Sequence, residues 1–219
     1  MVTRVKISML FFAFVCFGFS AQAECLDYAS TPQNLQSLES EAGRGALPKD
    51  QISCLESSYS TAESITTKDK ISRVLLINAY AYNTQDWAKL VNRHLAEIDQ
   101  SDPAISYLYT FYLHNRKSPE FNKVIKWSEV ALERRAEWKG KTYTNRTFQL
   151  MKVRALAATA LWDGHARKNE GSQAEEMRLH AKTFSREWLD FARSAGWDIS
   201  EAARLCASAA SKEACGILE

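Results

Sequence analysis

The sequence contains few of the residues that build tight turns, with 8 glycines and 4 prolines in 219 residues. An all-β protein needs many such turns between short strands, so this composition disfavours an all-β fold. No alternating run of polar and apolar residues bounded by turn residues occurs either. The pattern that does occur is helical, and the sequence predicts an all-α protein.

The sequence also lacks the short motifs of common catalytic and cofactor sites. It contains no HExxH, GxSxG, GxxxxGK[ST], GxGxxG or CxxCH segment. Zinc-protease, hydrolase, P-loop, dinucleotide and c-type haem sites therefore have no support. We predict no catalytic residue, no metal site and no cofactor. The histidines are predicted to lie on the surface, in polar turns or beside charged neighbours: His94, His114, His165 and His180.

The excess of basic residues comes entirely from the first 23 residues. The chain has 28 Lys+Arg and 26 Asp+Glu, and Arg4 and Lys6 lie in that segment, which has no acidic residue. Removing them leaves 28 − 2 = 26 basic residues against 26 acidic ones. Binding to nucleic acid or to an anionic membrane needs a concentrated basic surface. We therefore expect no nucleic-acid partner.

Residues 1–23 have the parts of a secretory signal peptide. A basic start is followed by an apolar core at residues 7–19, and Ala21 and Ala23 supply the small residues before a cleavage site. This core is too short to span roughly 30 Å of hydrocarbon as a helix. We expect cleavage after Ala23 and a secreted or periplasmic mature chain of residues 24–219 with no membrane span. An uncleaved N-terminal anchor is the alternative.

The cysteines lie at the two ends of the predicted mature chain. Cys16 is lost with the signal peptide, and the others form two couples, Cys25 with Cys54 and Cys206 with Cys215. An even number of cysteines in an exported chain predicts two disulfides, although four cysteines permit three pairings. Pairing within each couple would fasten each end to its neighbouring helix. A metal site is disfavoured, because no histidine is adjacent and the spacings are wide.

Apolar residues at helical spacing, with proline, threonine, aspartate and glycine at the boundaries, predict a series of helices. Their predicted bounds are 33–42, 48–62, 71–82, 86–99, 104–115, 120–137, 142–163, 172–195 and 202–210. The third and fifth of them are apolar on nearly all sides. Such helices are buried between neighbours.

The middle of the chain contains an internal repeat. A shift of 34 residues lays Lys89-Leu90-Val91 over Lys123-Val124-Ile125, and a shift of 35 aligns residues 95–96 with 130–131. A buried helix, a short turn, an amphipathic helix and then Asp102-Pro103 resemble a tetratricopeptide repeat and the start of the next one. The resemblance covers about residues 70–137 as two units, without the Trp-Leu-Gly-Tyr signature of the first helix. A generic array of helical hairpins is the alternative.

The resemblance implies an α-solenoid of antiparallel helix hairpins in one domain, residues 24–219, capped by the terminal disulfides. It also implies a non-catalytic role, in which a concave groove binds a peptide or a partner protein. Tyrosine and arginine are favoured at such contacts. The candidate groove residues are Asn78, Tyr82, Tyr109 and Arg116.

Two other classes of function stay open at this stage. A cell-wall (peptidoglycan) enzyme, or an inhibitor of one, would need a partly buried carboxylate with a raised pKa. Its candidate carboxylate pairs are Glu97/Asp99, Glu120/Glu129 and Glu175/Glu176, which solvated helix faces also explain. A self-assembling envelope component would need a self-complementary apolar patch.

Overall fold

The computed structural model describes Tyr28, residues 32–82 and residues 86–217, and these residues form helices and turns without a strand. The α-helices are α1 Leu35–Ala42, α2 Lys49–Thr61, α3 Ile65–Ala81, α4 Trp87–Glu97, α5 Pro103–His114, α6 Phe121–Glu133, α7 Gly140–Arg167, α8 Gly171–Ser194 and α9 Ser200–Ala209. Short 3-10 helices occupy Pro32–Asn34, Arg135–Glu137 and Glu213–Cys215. The prediction of an all-α protein is confirmed.

Local signals set several helix ends. Asp102 caps α5: its Oδ1 accepts hydrogen bonds from the N–H groups of Ala104 at 2.8 Å and Ile105 at 3.0 Å. Pro103 occupies the first position of the helix, where no hydrogen-bonding N–H is needed. Gly196 follows α8 with a φ of +69°, a left-handed conformation that glycine adopts without steric cost. These residues confirm the predicted start of α5 and the predicted end of α8.

The helices pack in the order in which they follow one another. Each helix contacts mainly the helices one or two places away along the chain. Two cores result, one built chiefly from α1–α5 and the other from α6–α9. Helix α7 contributes to both, with Val153 and Ala157 in the first core and Leu150 and Ala155 in the second. The small residues of α7 permit this close contact on two sides.

The C-terminal disulfide is present as predicted. Cys206 on α9 is bonded to Cys215, their Cα atoms are 6.0 Å apart, and both residues are buried. Cys54 is also disulfide-bonded. Its predicted partner Cys25 lies outside the described residues, so that pairing stays a prediction.

Among the described residues, no helix combines the length and the apolar character that a membrane crossing requires. The predicted signal peptide, residues 1–23, lies outside the part of the chain that the structure describes. Cleavage after Ala23 therefore stays a prediction.

Candidate functional site

An open groove lies between the ends of α3 and α5. We call it the aromatic groove; it has a volume of about 430 Å³ and is lined by Tyr80, Phe111, Tyr112, Asn115 and Arg116. Tyr80 is 46% exposed, so part of its ring is open to a partner. The Arg116 guanidinium lies 5.9 Å from the centre of the Tyr112 ring. The groove therefore combines exposed ring surface with an amide and a cation.

A cluster of aromatic rings lies beneath the aromatic groove and holds its walls in place. Trp87 of α4 lies at its centre, with ring centroids 5.5 Å from Tyr80, 4.7 Å from Tyr112 and 5.9 Å from Tyr109. Tyr109 in turn contacts Trp127 of α6 at 5.6 Å. Since four helices contribute rings, the groove is supported by the core rather than by loops.

Charged side chains on α6 and just before it border the same cluster. Glu120 pairs with Arg116 and, at 2.5 Å, with Lys123. Lys126 lies 5.1 Å from the Trp127 ring. Two cations thus pair with one carboxylate, and a third cation lies beside the ring cluster, so these four side chains together carry net positive charge.

A second cavity lies on α2, α3 and α4. We call it the α2–α4 cavity; its volume is about 410 Å³. Its lining residues are Ile52, Glu56, Leu75, Asn78, Ala79, Asp86, Lys89, Leu90 and Arg93. Arg93 donates to both carboxylate oxygens of Glu56, at 2.6 and 3.3 Å, and stacks 4.1 Å from the Tyr59 ring. Asn78 is only 5% exposed, and its Nδ2 makes no hydrogen bond with any described residue.

The structure does not bring the four candidate groove residues into one site. Asn78 lines the α2–α4 cavity and Arg116 lines the aromatic groove. Tyr109 is 6% exposed and packs beneath the aromatic groove, so its ring is a core residue. Tyr82, at the end of α3, is 42% exposed and lines neither cavity. The sequence analysis did not select Tyr112, although it lies only four residues before Arg116.

A buried polar network joins α3, α4 and α5. His94 has no exposed surface: its Nδ1 lies 3.0 Å from Ser72 Oγ and its Nε2 lies 3.3 Å from Asp102 Oδ2. Arg73 donates to Asp102 and, at 3.1 Å, to Asp69. The prediction of a surface position is therefore wrong for His94. The sequence does contain a signal for the burial of His94. It lies on the apolar face of α4, four residues after Leu90 and three after Val91, which are both buried.

The network contains a serine, a histidine and an aspartate in hydrogen-bonded order, as in nucleophilic hydrolases. An ionised Asp102 only accepts hydrogen bonds, so His94 donates to it from Nε2. Ser72, however, is 1% exposed and lines neither cavity described above. The Ser72 hydroxyl is therefore closed off from both of these cavities, and we interpret the network as structural.

The same network has ligand atoms at metal-like spacing. One atom each from Asp69, His94 and Asp102 lie within 4.8 Å of one another. Arg73 reaches both carboxylates, so a guanidinium already supplies positive charge at this point. The donor set is therefore occupied by a side-chain cation.

Asp102 does not have the property that the cell-wall enzyme alternative needs. Burial by itself would raise its pKa, but hydrogen bonds from His94 and the Ile105 N–H, with the charge of Arg73, hold the pKa well below its usual range. A general acid needs a carboxyl whose pKa is raised. Among the described residues Asp102 is the one buried carboxylate, and it gives that alternative no support.

No protein-family model, no curated protein and no solved structure matches this chain.

Proposed function

We propose that this chain is an exported, non-catalytic protein that binds a peptide or a partner protein through the aromatic groove. The observation that carries the proposal is an exposed tyrosine, Tyr80, next to Arg116 and Asn115 over a rigid cluster of rings. Tyrosine and arginine dominate binding hot spots because they combine contact area with directional hydrogen bonds. Rings already fixed by packing lose little conformational entropy on binding.

The proposal includes an array of tetratricopeptide-like helix hairpins. Helices that are close along the chain pack against each other, which is the contact pattern expected of such an array. A spacing of 34 residues also relates pairs of buried polar positions. Ser72 and Ser106 are one such pair and His94 and Ser128 are another, and all four residues are fully or almost fully buried. Serine side chains are mostly exposed in proteins, so buried serines that recur at this spacing support a repeat.

The border of the aromatic groove favours one kind of partner. Three cations and one carboxylate surround the ring cluster, and a segment of opposite charge gains both association rate and orientation. We therefore expect the bound segment to be acidic, with an apolar or aromatic residue that packs on Tyr80 and Tyr112. Export is supported by the sequence of residues 1–23.

The test is recovery of a cross-linked partner by the tagged full chain, expressed in a host that exports it. The variant Tyr80→Ser/Arg116→Ala removes the exposed ring and the cation of the aromatic groove. The matched control Leu179→Ser/Arg167→Ala removes one exposed apolar and one exposed basic side chain from α8 and α7.

We expect the groove variant to lose partner recovery by about tenfold or more, which corresponds to the loss of hot-spot contacts. The control variant should keep it, and circular dichroism should show both variants folded. Equal recovery by the two variants would refute the groove as the binding surface.

A further inference from the structure

The α2–α4 cavity has the size and the walls of a ligand site. Its volume of about 410 Å³ falls within the range of about 300–1,000 Å³ that is typical of pockets for small ligands. Ile52, Leu75 and Leu90, from three different helices, supply aliphatic walls. Such walls accept an aliphatic group and offer little to a polar one.

Asn78 supplies the polar contact that would orient a ligand in the cavity. Its side chain is nine-tenths buried, and its Nδ2 lacks a hydrogen-bond acceptor among the described residues. A buried donor without an acceptor is costly, so such groups are normally satisfied by a partner. A carboxamide offers one donor side and one acceptor side, which is the pattern complementary to a peptide amide.

The charges at the cavity cancel. Glu56 and Arg93 form a two-point ion pair with each other, and Asp86 and Lys89 contribute one further charge of each sign. With two acidic and two basic side chains, the lining supplies no net charge that would attract a free carboxylate or a free ammonium. Neither end of a peptide chain is therefore favoured, and an uncharged ligand fits best.

We infer that the α2–α4 cavity is a second binding site, which takes an uncharged aliphatic residue from within a peptide chain. The aliphatic side chain lies against Ile52, Leu75 and Leu90, and the Asn78 carboxamide pairs with the peptide amide. This site lies at α2, α3 and α4 and does not depend on the aromatic groove.

The experiment titrates the full chain with three small probes and follows amide shifts by NMR. N-acetyl-leucinamide represents an internal residue, N-acetyl-leucine adds a negative charge, and leucine amide adds a positive one. We expect N-acetyl-leucinamide to bind at least about fivefold more tightly than either charged probe, with shifts in α2, α3 and α4. The groove variant Tyr80→Ser/Arg116→Ala should bind it unchanged, which separates this site from the proposed function.

Asn78→Leu tests the polar contact. It removes an unpaired buried amide, so it should fold, and it should weaken binding of N-acetyl-leucinamide by at least about fivefold. The matched control Asn122→Leu changes an exposed asparagine on α6 and should have no effect. Ala79→Leu, which fills the cavity without touching the amide, should also abolish binding.

Three results would overturn the inference. The first is the absence of any shift with N-acetyl-leucinamide up to its solubility limit. The second is equal or tighter binding of a charged probe, which would point to a chain terminus as the ligand. The third is unchanged binding by both Asn78→Leu and Ala79→Leu.

Discussion

Asp102 performs two separable tasks, and two substitutions at this position should measure them. Its Oδ1 caps α5 by accepting hydrogen bonds from Ala104 and Ile105, while its Oδ2 receives Arg73 and His94. Asparagine is as good a helix cap as aspartate, so Asp102→Asn keeps the cap and removes the charge. Asp102→Ala removes both.

The expected costs follow from the exposure of the partners. Breaking a buried ion pair by removing one member costs about 3–5 kcal/mol, because the other charge is left uncompensated. Arg73 keeps Asp69 as a partner and its side chain is 31% exposed, so water and Asp69 compensate part of the loss. We therefore expect Asp102→Asn to lower the free energy of unfolding by about 2–3 kcal/mol. The lost cap should add about 1 kcal/mol for Asp102→Ala.

Urea unfolding followed by far-ultraviolet circular dichroism at neutral pH measures both values. The control is Asp99→Asn, at an aspartate whose side chain is 34% exposed and paired with Arg134, where the loss should stay below about 1 kcal/mol. If Asp102→Asn cost no more than this control, the buried network would not stabilise the fold and the reasoning would be refuted.

The pH dependence gives a second measurement of the same charge. The pKa of Asp102 is lowered in the folded state. Its charge therefore makes its full contribution to the free energy of unfolding above the unfolded pKa of about 3.9. That contribution is lost as the pH falls from about 5 through the folded-state pKa. The stability difference between the wild type and Asp102→Asn should therefore narrow in acid, and a difference that widened would have the wrong sign.

Three further predictions concern other parts of the chain. Cys206→Ser/Cys215→Ser should lower the free energy of unfolding by about 2–3 kcal/mol, given the short loop that this disulfide closes. Hydrogen exchange in the variant should accelerate in α9 before it does in α4, and a uniform acceleration would contradict a local role. Burial and the hydrogen bond to Glu97 raise the pKa of Tyr59 to about 12, so Tyr59→Phe should remove the highest-pH step of an ultraviolet tyrosine titration. If Tyr59→Phe instead reduces the step near pH 10, Tyr59 is not the tyrosine with the raised pKa. Mass spectrometry of chain recovered outside the cytoplasm should give an N-terminus at Glu24, and an intact residue 1 there would contradict cleavage.

Helix positions were predictable from the sequence because their signals are local. All the helix ends outside α3, α6 and α7 lie within two residues of their predicted positions. Helix α3 begins at Ile65 instead of residue 71, because Thr67 is buried and the polar residues after it belong to the helix rather than to its approach. Helix α6 ends at Glu133, and the residues that follow form a 3-10 turn.

The buried network and the cavities were less predictable, because they depend on contacts between residues that are far apart in the sequence. His94 is buried through Ser72, 22 residues away, and no local pattern reports that partner. Tyr109 faces the core because α4 and α6 each place an indole against it. Asn78 lines a cavity, but its neighbours there come from α2 and α4 and not from the other candidate groove residues.

Helix α7 is 28 residues long, about 42 Å at 1.5 Å per residue, and it has a different core on each side. In a simple array of hairpins, one end can open while the other end stays folded. Here the unfolding of either core would remove the packing from one side of α7. If α7 then unfolded, the other core would lose the helix on which it packs. The two halves are therefore expected to melt together, so the fluorescence of Trp87 in the first core and Trp188 in the second should report one shared transition.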